Sequence, residues 1–359
     1  MTELCIDGIS FSEFISPRPW QKTIERIINL MRKVLVTGGA GFIGSELVRQ
    51  LTDQGIYVIV VDNLINGRRE NLQDIREEFY RLAVVDIRDE KTVETLMVGV
   101  DIIYHLACLG VRHSIHSPYE NHEVNATATL KLLSAARATG VKRFIYVSSS
   151  EVYGTAQWVP MTEDHPTMPM TVYGASKLAG ECYTRAFYRT YGYSTVVVRP
   201  FNTYGPHCHH EGDSGEVIPK FLLRCMAGSP MIVFGDGNQI RDFTYVSDIA
   251  RGILTAGLVD NIVGETLNLG SGREVVINEL ASEIAHVAGK PGITVIHDKP
   301  RPGDVLRLCA NIERARKLLM FEAKVSLQEG LTKLRQWYLS LNKSPELLLK
   351  QETIRNWER

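Results

Sequence analysis

Tyr173 and Lys177, in VYGASKLAG, are the residues of this chain best suited to moving a proton. At i and i+4 on a helix they share one face, about a turn apart. An unperturbed phenol titrates near pH 10, too high for a base at neutral pH. A fixed ammonium nearby favours the phenolate, so Lys177 is expected to lower the Tyr173 pKa and to have donors left for a ribose. Upstream, the apolar run at 143–148 ends in Ser148-Ser149-Ser150, where Ser149 or Ser150 would relay the proton between a substrate hydroxyl and Tyr173. At least one of these serines is expected to serve as a strand-end cap. Alone, Y-x-x-x-K is a common solvated helical pair; its weight comes from what precedes it.

That context is RKVLVTGGAGFIGS, residues 32–45. A short buried strand runs into Gly38, Gly39, Gly41 and Gly44, and a helix with Leu47, Val48 and Leu51 on one face follows. Two glycine registers overlap, G-x-G-x-x-G from Gly39 and G-x-x-G-x-x-G from Gly38. In either, glycine permits the tight turn, the close approach of a pyrophosphate to backbone amides, and close helix–strand packing. The pyrophosphate would rest at the positive helix end. The next apolar run, IYVIVV, ends in Asp62, where an acid meets the adenosine ribose hydroxyls. A carboxylate there repels a 2′-phosphate and favours NAD over NADP, although Arg68 and Arg69 stand nearby.

The elements that must position these residues alternate. Apolar runs at 34–36, 57–61, 82–85, 101–105, 143–148 and 195–199 are separated by helical stretches such as 124–139 and 172–190. This is the pattern of an α/β, Rossmann-type doubly wound parallel sheet, whose ligands bind beyond the C-terminal strand ends. Asp62, Asp86-Ile87, His105-Leu106-Ala107, the serine run and Pro200-Phe201-Asn202 all fall there. The expected division is an N-terminal extension (1–30), a cofactor-binding domain with the Tyr/Lys pair (31–202), mainly a substrate lobe (203–340) with some return to the sheet, and a tail (341–359). The extension lacks the basic start and apolar core of a secretory signal and offers a short amphipathic helix in WQKTIERIINLM. The tail carries no functional pattern beyond a possible final helix.

With 359 residues, 44% hydrophobic and 23% charged, the composition is that of an ordinary soluble enzyme. A formal net charge of −1 gives no reason to expect a nucleic-acid or anionic-membrane partner, and no apolar run approaches a membrane span. Six cysteines scattered without a C-x-x-C pair read as free thiols in a cytoplasmic protein. The run His207-Cys208-His209-His210-Glu211-Gly212-Asp213 has zinc-type ligands. Its spacing is too tight for a regular tetrahedral site, and a polar loop beside the substrate is the expected reading, with no metal.

Taken together, TGGAGFIGS, His105-Leu106-Ala107, Asn125, SSSEVYG, Tyr173/Lys177, RPFNTYGP, RDFTYVSDIA and RPGDV resemble the extended short-chain dehydrogenase/reductase family, and within it the nucleotide-sugar epimerases, dehydratases and decarboxylases. The resemblance spans residue 32 to about 335. It implies tightly bound NAD and a nucleotide diphosphate sugar, a UDP-sugar being favoured. It assigns cofactor contacts to Gly38, Gly41, Phe42, Ile43, Gly44, Asp62, Asn63, Asp86, Ile87, Leu106, Ala107, Asn125 and Pro200. Tyr173 and Lys177 are implied as the catalytic pair and Ser149 as the hydroxyl relay. On the substrate side it implies Asn202 at the sugar diphosphate and Arg241 and Arg301 on the pyrophosphate, for which guanidinium forks are suited. Val217 and Lys220, where a helix follows the histidine-rich loop, are further substrate-side candidates. A local salt bridge with Asp242 is the plain alternative for Arg241.

The resemblance also implies a first step: Tyr173 takes the 4-hydroxyl proton while C4 gives up a hydride. The 4-keto sugar then regains hydride on its other face (4-epimerisation), loses water (4,6-dehydration) or, if a uronate, loses its carboxylate. Glu151 occupies the position of the C5-proton base of the family's dehydratases, and decarboxylases carry a glutamate there too. Ser150 stands where dehydratases of the dTDP-glucose type have an aspartic acid. Strand-end capping or a cationic partner is the plain reading of Glu151. Epimerisation of a UDP-sugar is the first expectation, with dehydratase or UDP-glucuronate decarboxylase as alternatives. A catalytically silent NAD-binding sensor is the rival from a different class. Family members form homodimers through two helices per subunit, here 124–139 and 172–190.

Overall fold

Strands buried on both faces must be apolar along their whole length rather than at alternate positions. KVLVT, YVIVVD, RFIYV and TVVVRP satisfy this, with nearly every residue buried. The computed structural model describes residues 33–212, 214–301 and 304–358. The N-terminal extension and its expected helix lie outside the described residues.

The central sheet has seven parallel strands: β1 (Lys33–Thr37), β2 (Tyr57–Asp62), β3 (Tyr80–Val84), β4 (Ile102–His105), β5 (Arg143–Val147), β6 (Thr195–Pro200) and, as the last to join, the strand Thr266–Leu269. Their spatial order is β3-β2-β1-β4-β5-β6 followed by Thr266–Leu269, which pairs in parallel with β6. The order reverses direction between β1 and β4, which pair from Val34↔Ile102 to Thr37↔His105. A crevice opens at the carboxyl ends of the strands at such a switch point.

Helices cover both faces. α1 (Phe42–Asp53) and the helix Val246–Leu258 close one core, with Leu47, Leu51, Ile249 and Ile253 inside it. The other face is closed by α2 (Glu90–Leu96) and α3 (Ala128–Ala138), burying Val93, Leu132 and Leu133. α4 (Val172–Tyr191) follows β5, is N-capped by Thr171 and ends at Gly192 in the left-handed region. It is clamped from beneath. Arg199 on β6 forks onto Glu181 of α4 (Nε–Oε1 2.8 Å, Nη2–Oε2 2.6 Å) and donates to the Tyr153 hydroxyl (2.8 Å). The Tyr146 hydroxyl donates to the Lys177 carbonyl (3.2 Å).

A smaller lobe is built after Asn202 around α5 (Val217–Met226), the helix Ile277–Val287 and the helix Leu327–Ser340. Its parallel strand pair, Met231–Phe234 with Val295–Asp298, lies beside the cleft. The helix expected in the tail is confined to Pro345–Leu349; residues 351–358 run as turns along this lobe. No helix among the described residues is long and apolar enough to cross a membrane.

Candidate active site

A cavity of about 670 Å³ runs from the β1–α1 turn to the substrate lobe. At one end the wall is backbone. Gly38 has φ +70°, and a Cβ there would lie 2.7 Å from the Ala107 amide nitrogen; a Cβ at Gly44 would overlap the Gly38 carbonyl oxygen. Gly41 opens α1 with no side-chain cap and no acid in the first turn. The first amides of this helix are therefore left for an anion, as a pyrophosphate requires. Asp62 is buried at the end of β2 and accepts from the amides of Ala40 (3.0 Å) and Leu64 (2.9 Å). Burial pushes its carboxyl up while the two amides hold it down. Two carboxylate oxygens offer about four acceptor sites, so capacity remains for a ribose diol. Neither Arg68 nor Arg69 lines the cavity; Arg68 pairs with Glu211 across the cleft's rim. These features fit NAD.

Asn63 donates to Asp86 (3.0 Å), and Arg88 forks onto the same carboxylate (2.9 and 2.8 Å), holding it down at about 2. Both Asn63 and Asp86 line the cavity, as do Ile87, Leu106, Ala107 and Pro200. Asn125 does not. Its amide is spent on Leu109, accepting from the backbone N–H (2.9 Å) and donating to the carbonyl (2.8 Å), and on Asn121 (3.1 Å). It supports the Cys108–Gly110 segment from behind instead of facing the cleft.

Tyr173, Lys177, Ser149, Ser150 and Glu151 all line the middle of the cavity. Ser149 and the Cys108 thiol are the polar groups beside the Tyr173 hydroxyl. Ser149 also accepts from the Glu151 amide (3.2 Å), so it is the expected strand-end cap as well as the Tyr173 partner. The expected lowering of the Tyr173 pKa by Lys177 is not what this arrangement produces. Burial and the Cys108 thiol push the phenol well up, against the Ser149 hydrogen bond. The reason is that Lys177 is itself buried, which pushes its ammonium down, and its Nζ donates to the Val147 carbonyl at 2.7 Å. Tethered there, it does not offset the desolvation of the phenol.

Glu151 lies in the short 3-10 turn Ser150–Val152 after β5. Burial pushes its carboxyl up, opposed by Arg241, Arg112 and Arg301, and among the described residues it closes no ion pair with them. Arg241 pairs with Asp304 (2.6 Å), not with Asp242. Asp242 is fully buried and accepts from the amides of Ser271 (2.8 Å), Gly272 (3.0 Å) and Ala310 (3.1 Å), organising the loops behind. Arg301 lines the cavity with its Nε buried and unpartnered. Burial, Arg112 and Arg241 bring it down to about 10. Asn202 and Val217 also line the cavity. Lys220 does too, its Nζ donating to the Thr353 carbonyl (2.7 Å), and burial lowers it to about 8.

Of the histidine-rich run, His209 alone among the histidines faces the cavity. His207 packs on Trp337 (5.1 Å) and Cys208 is buried. His210 stacks edge-on against Tyr338 (5.8 Å), and Asp213 lies outside the described residues. Sequence reasoning passed over Cys108, Arg112, Asp304 and the tail. Cys108 directly follows the His105-Leu106-Ala107 strand end, which is the signal for it. The others have none, because only folding brings them to the cleft.

The chain matches the NAD dependent epimerase/dehydratase family over residues 34–270, and it belongs to that family. It is 35% identical to the UDP-glucose 4-epimerase of Mycolicibacterium smegmatis, over 85% of this chain and 98% of the relative. It is also 35% identical to UDP-glucuronic acid decarboxylase 1 of Arabidopsis thaliana, over 84% of this chain and 68% of the relative. The crystal structure of a dTDP-glucose 4,6-dehydratase from Streptomyces venezuelae, with NAD bound, superposes with a TM-score of 0.81 at 33% identity, covering 86% of this chain and 97% of that one. Relatives of comparable similarity thus carry three different activities on nucleotide sugars.

Proposed function

We propose that this protein is an NAD-dependent 4-epimerase of a UDP-sugar. The observation that carries the reading is the set of groups at the end of β5. Ser149 stands beside Tyr173 in the cavity wall, and next to it Ser150 offers a hydroxyl, not a carboxylic acid. Elimination of a 6-hydroxyl wants an acid to protonate the leaving group beside the C5 base; proton relay from a 4-hydroxyl needs only Ser149 and Tyr173.

NAD would be held at the α1 N-terminus through the amides of Phe42 and Ile43, with Asp62 on the adenosine ribose. Asn63, Asp86 and Ile87 would flank the adenine end, and Leu106, Ala107 and Pro200 would form the wall. The chemistry that bound NAD supplies is reversible hydride acceptance. Tyr173 takes the 4-hydroxyl proton through Ser149 and returns it once the sugar presents its other face. Lys177, fixed by the Val147 carbonyl, would hold the ribose hydroxyls of the bound cofactor. Arg241 and Arg301 grip the diphosphate, with Lys220, Asn202 and Val217 beside them.

One observation favours a second reading, dehydration or decarboxylation. Glu151 is buried in the cavity, its pKa is raised, and it has no ion-pair partner among the described residues, which suits a base. Product mass distinguishes the two. Purified protein is incubated with UDP-glucose, UDP-N-acetylglucosamine, UDP-glucuronate, dTDP-glucose and GDP-mannose, and products are read by mass spectrometry and sugar NMR. An isomer of unchanged mass, with Glu151→Gln within about tenfold of wild type, supports epimerisation. Loss of water or carbon dioxide, abolished in Glu151→Gln, overturns it. If no sugar turns over and Tyr173→Phe keeps its biological effect, the NAD-sensor reading takes its place.

We further infer a homodimer built on α3 and α4. Leu130, Val172, Tyr188 and Tyr191 expose apolar surface there, and light scattering on the eluting protein reads the mass.

A further inference from the structure

The tail is tied to the substrate lobe at four points. The Gly212 amide donates to the Gln351 carbonyl (2.7 Å), and Lys220 donates to Thr353. Arg224 of α5 forks onto Glu352 (3.0 and 2.8 Å). Arg355 forks onto Asp298 at the end of the small strand pair (2.9 and 2.8 Å). So anchored, Glu352 and Ile354 reach the cavity wall. Trp357 lands edge-on against Phe234, with ring centroids 4.6 Å apart. The Arg301 guanidinium lies 5.5 Å from the Phe234 ring and 5.3 Å from the Trp357 ring, both within the range of cation–π attraction.

Arg301 is therefore held by rings and not by a carboxylate. Its buried Nε has no partner in the described structure. A buried, unsatisfied guanidinium nitrogen is costly unless a ligand completes the group. Rings on this side restrict the side chain without pairing its charge, which leaves guanidinium donors for phosphate oxygens.

We propose that Trp357 is a positioning residue for Arg301, and that residues 351–358 form part of the nucleoside diphosphate subsite. The inference rests on the nucleotide-sugar reading above and adds to it a wall that the sequence motifs do not include. The tail would limit how much the diphosphate end can shift, and Trp357 would set affinity without touching the reacting carbon.

The test is a double-mutant cycle on the full chain, read by calorimetric titration with UDP. NAD affinity and thermal midpoint are measured on each variant. Trp357→Ala is expected to weaken UDP about tenfold, Trp357→Phe to restore most of it, and NAD affinity to hold. In an Arg301→Ala background, Trp357→Ala should cost nothing more. Equal loss in both backgrounds, unchanged UDP affinity, or parallel loss of NAD affinity overturns the positioning role. Absence of UDP, dTDP and GDP binding to the wild-type chain overturns instead the nucleotide-sugar reading beneath it.

Discussion

The two ends of the cleft are built by opposite rules. At the cofactor end the site is first a backbone contour, the β1–α1 turn from Gly38 to Gly44, with short side chains at the strand ends, Asp62 foremost, completing it. At the proposed substrate end it is a set of long side chains from separate places: Arg112 after β4, Lys220 on α5, Arg241 on a two-residue strand and Arg301 on a loop, with Trp357 of the tail beside Arg301. A backbone contour has almost no freedom to drift, because any Cβ fills it. A set of side chains can be exchanged one at a time. The cofactor end is thus the part that relatives with different activities can share, and the substrate end is where they can diverge.

The sharpest break in that comparison comes from the residue between the two ends. Tyr173→Phe removes the proposed proton acceptor but no backbone, so turnover should fall about 10³-fold while NAD and UDP affinities stay. A loss of both affinities would mean that α4 holds the cleft together rather than doing chemistry in it.

The next effect is steric. Gly44→Ala places a methyl against the Gly38 carbonyl, and NAD affinity should drop by about 10²-fold or more, with UDP affinity much less affected. If NAD binds normally, the turn is not the cofactor cradle.

At the other end, Arg241→Ala should raise the Kd for UDP about tenfold, leaving NAD alone. It also releases Asp304 from its ion pair. Arg241→Lys should recover only part, since a point charge replaces a fork.

The last effect is on stability and leaves both affinities alone. Burial pushes Glu216 up to about 7 from an ordinary 4.5, with His209 and Arg112 acting against it. The folded state then binds the proton more tightly than the unfolded one. Its stabilising contribution is complete below about 4.5 and is lost as pH rises towards 7. Glu216→Gln should therefore be more stable than wild type at pH 8, by about 3 kcal/mol at most. The gap should close near pH 5 when both are followed by calorimetry without ligand. A constant gap at all pH values would place the effect in packing instead.

Much of the cofactor end was legible because its requirements are local. A strand, a glycine turn and a helix lie within a few residues of one another, and apolar runs reveal strands buried on both faces. Tyr173 and Lys177 were legible from helical spacing and their place after a strand. Their electrostatics were not: the tether of Lys177 to Val147 and the contact of Cys108 with Tyr173 depend on how β4, β5 and α4 pack. Asn125 marks the same limit. Its place in the chain suggested a cofactor contact, and packing turned it towards Leu109.

The sequence by itself determined the doubly wound sheet, the glycine turn, the acid at Asp62 and the helical spacing of Tyr173 and Lys177, because each follows from periodicity or from spacing along a short stretch. Tertiary structure alone decided that Arg241 pairs with Asp304, that Glu151 faces three arginines, and that Trp357 lies over Arg301. The physical reason is distance along the chain. Such contacts join residues separated by tens to hundreds of positions, and no local propensity encodes which distant side chains a closed core will bring together.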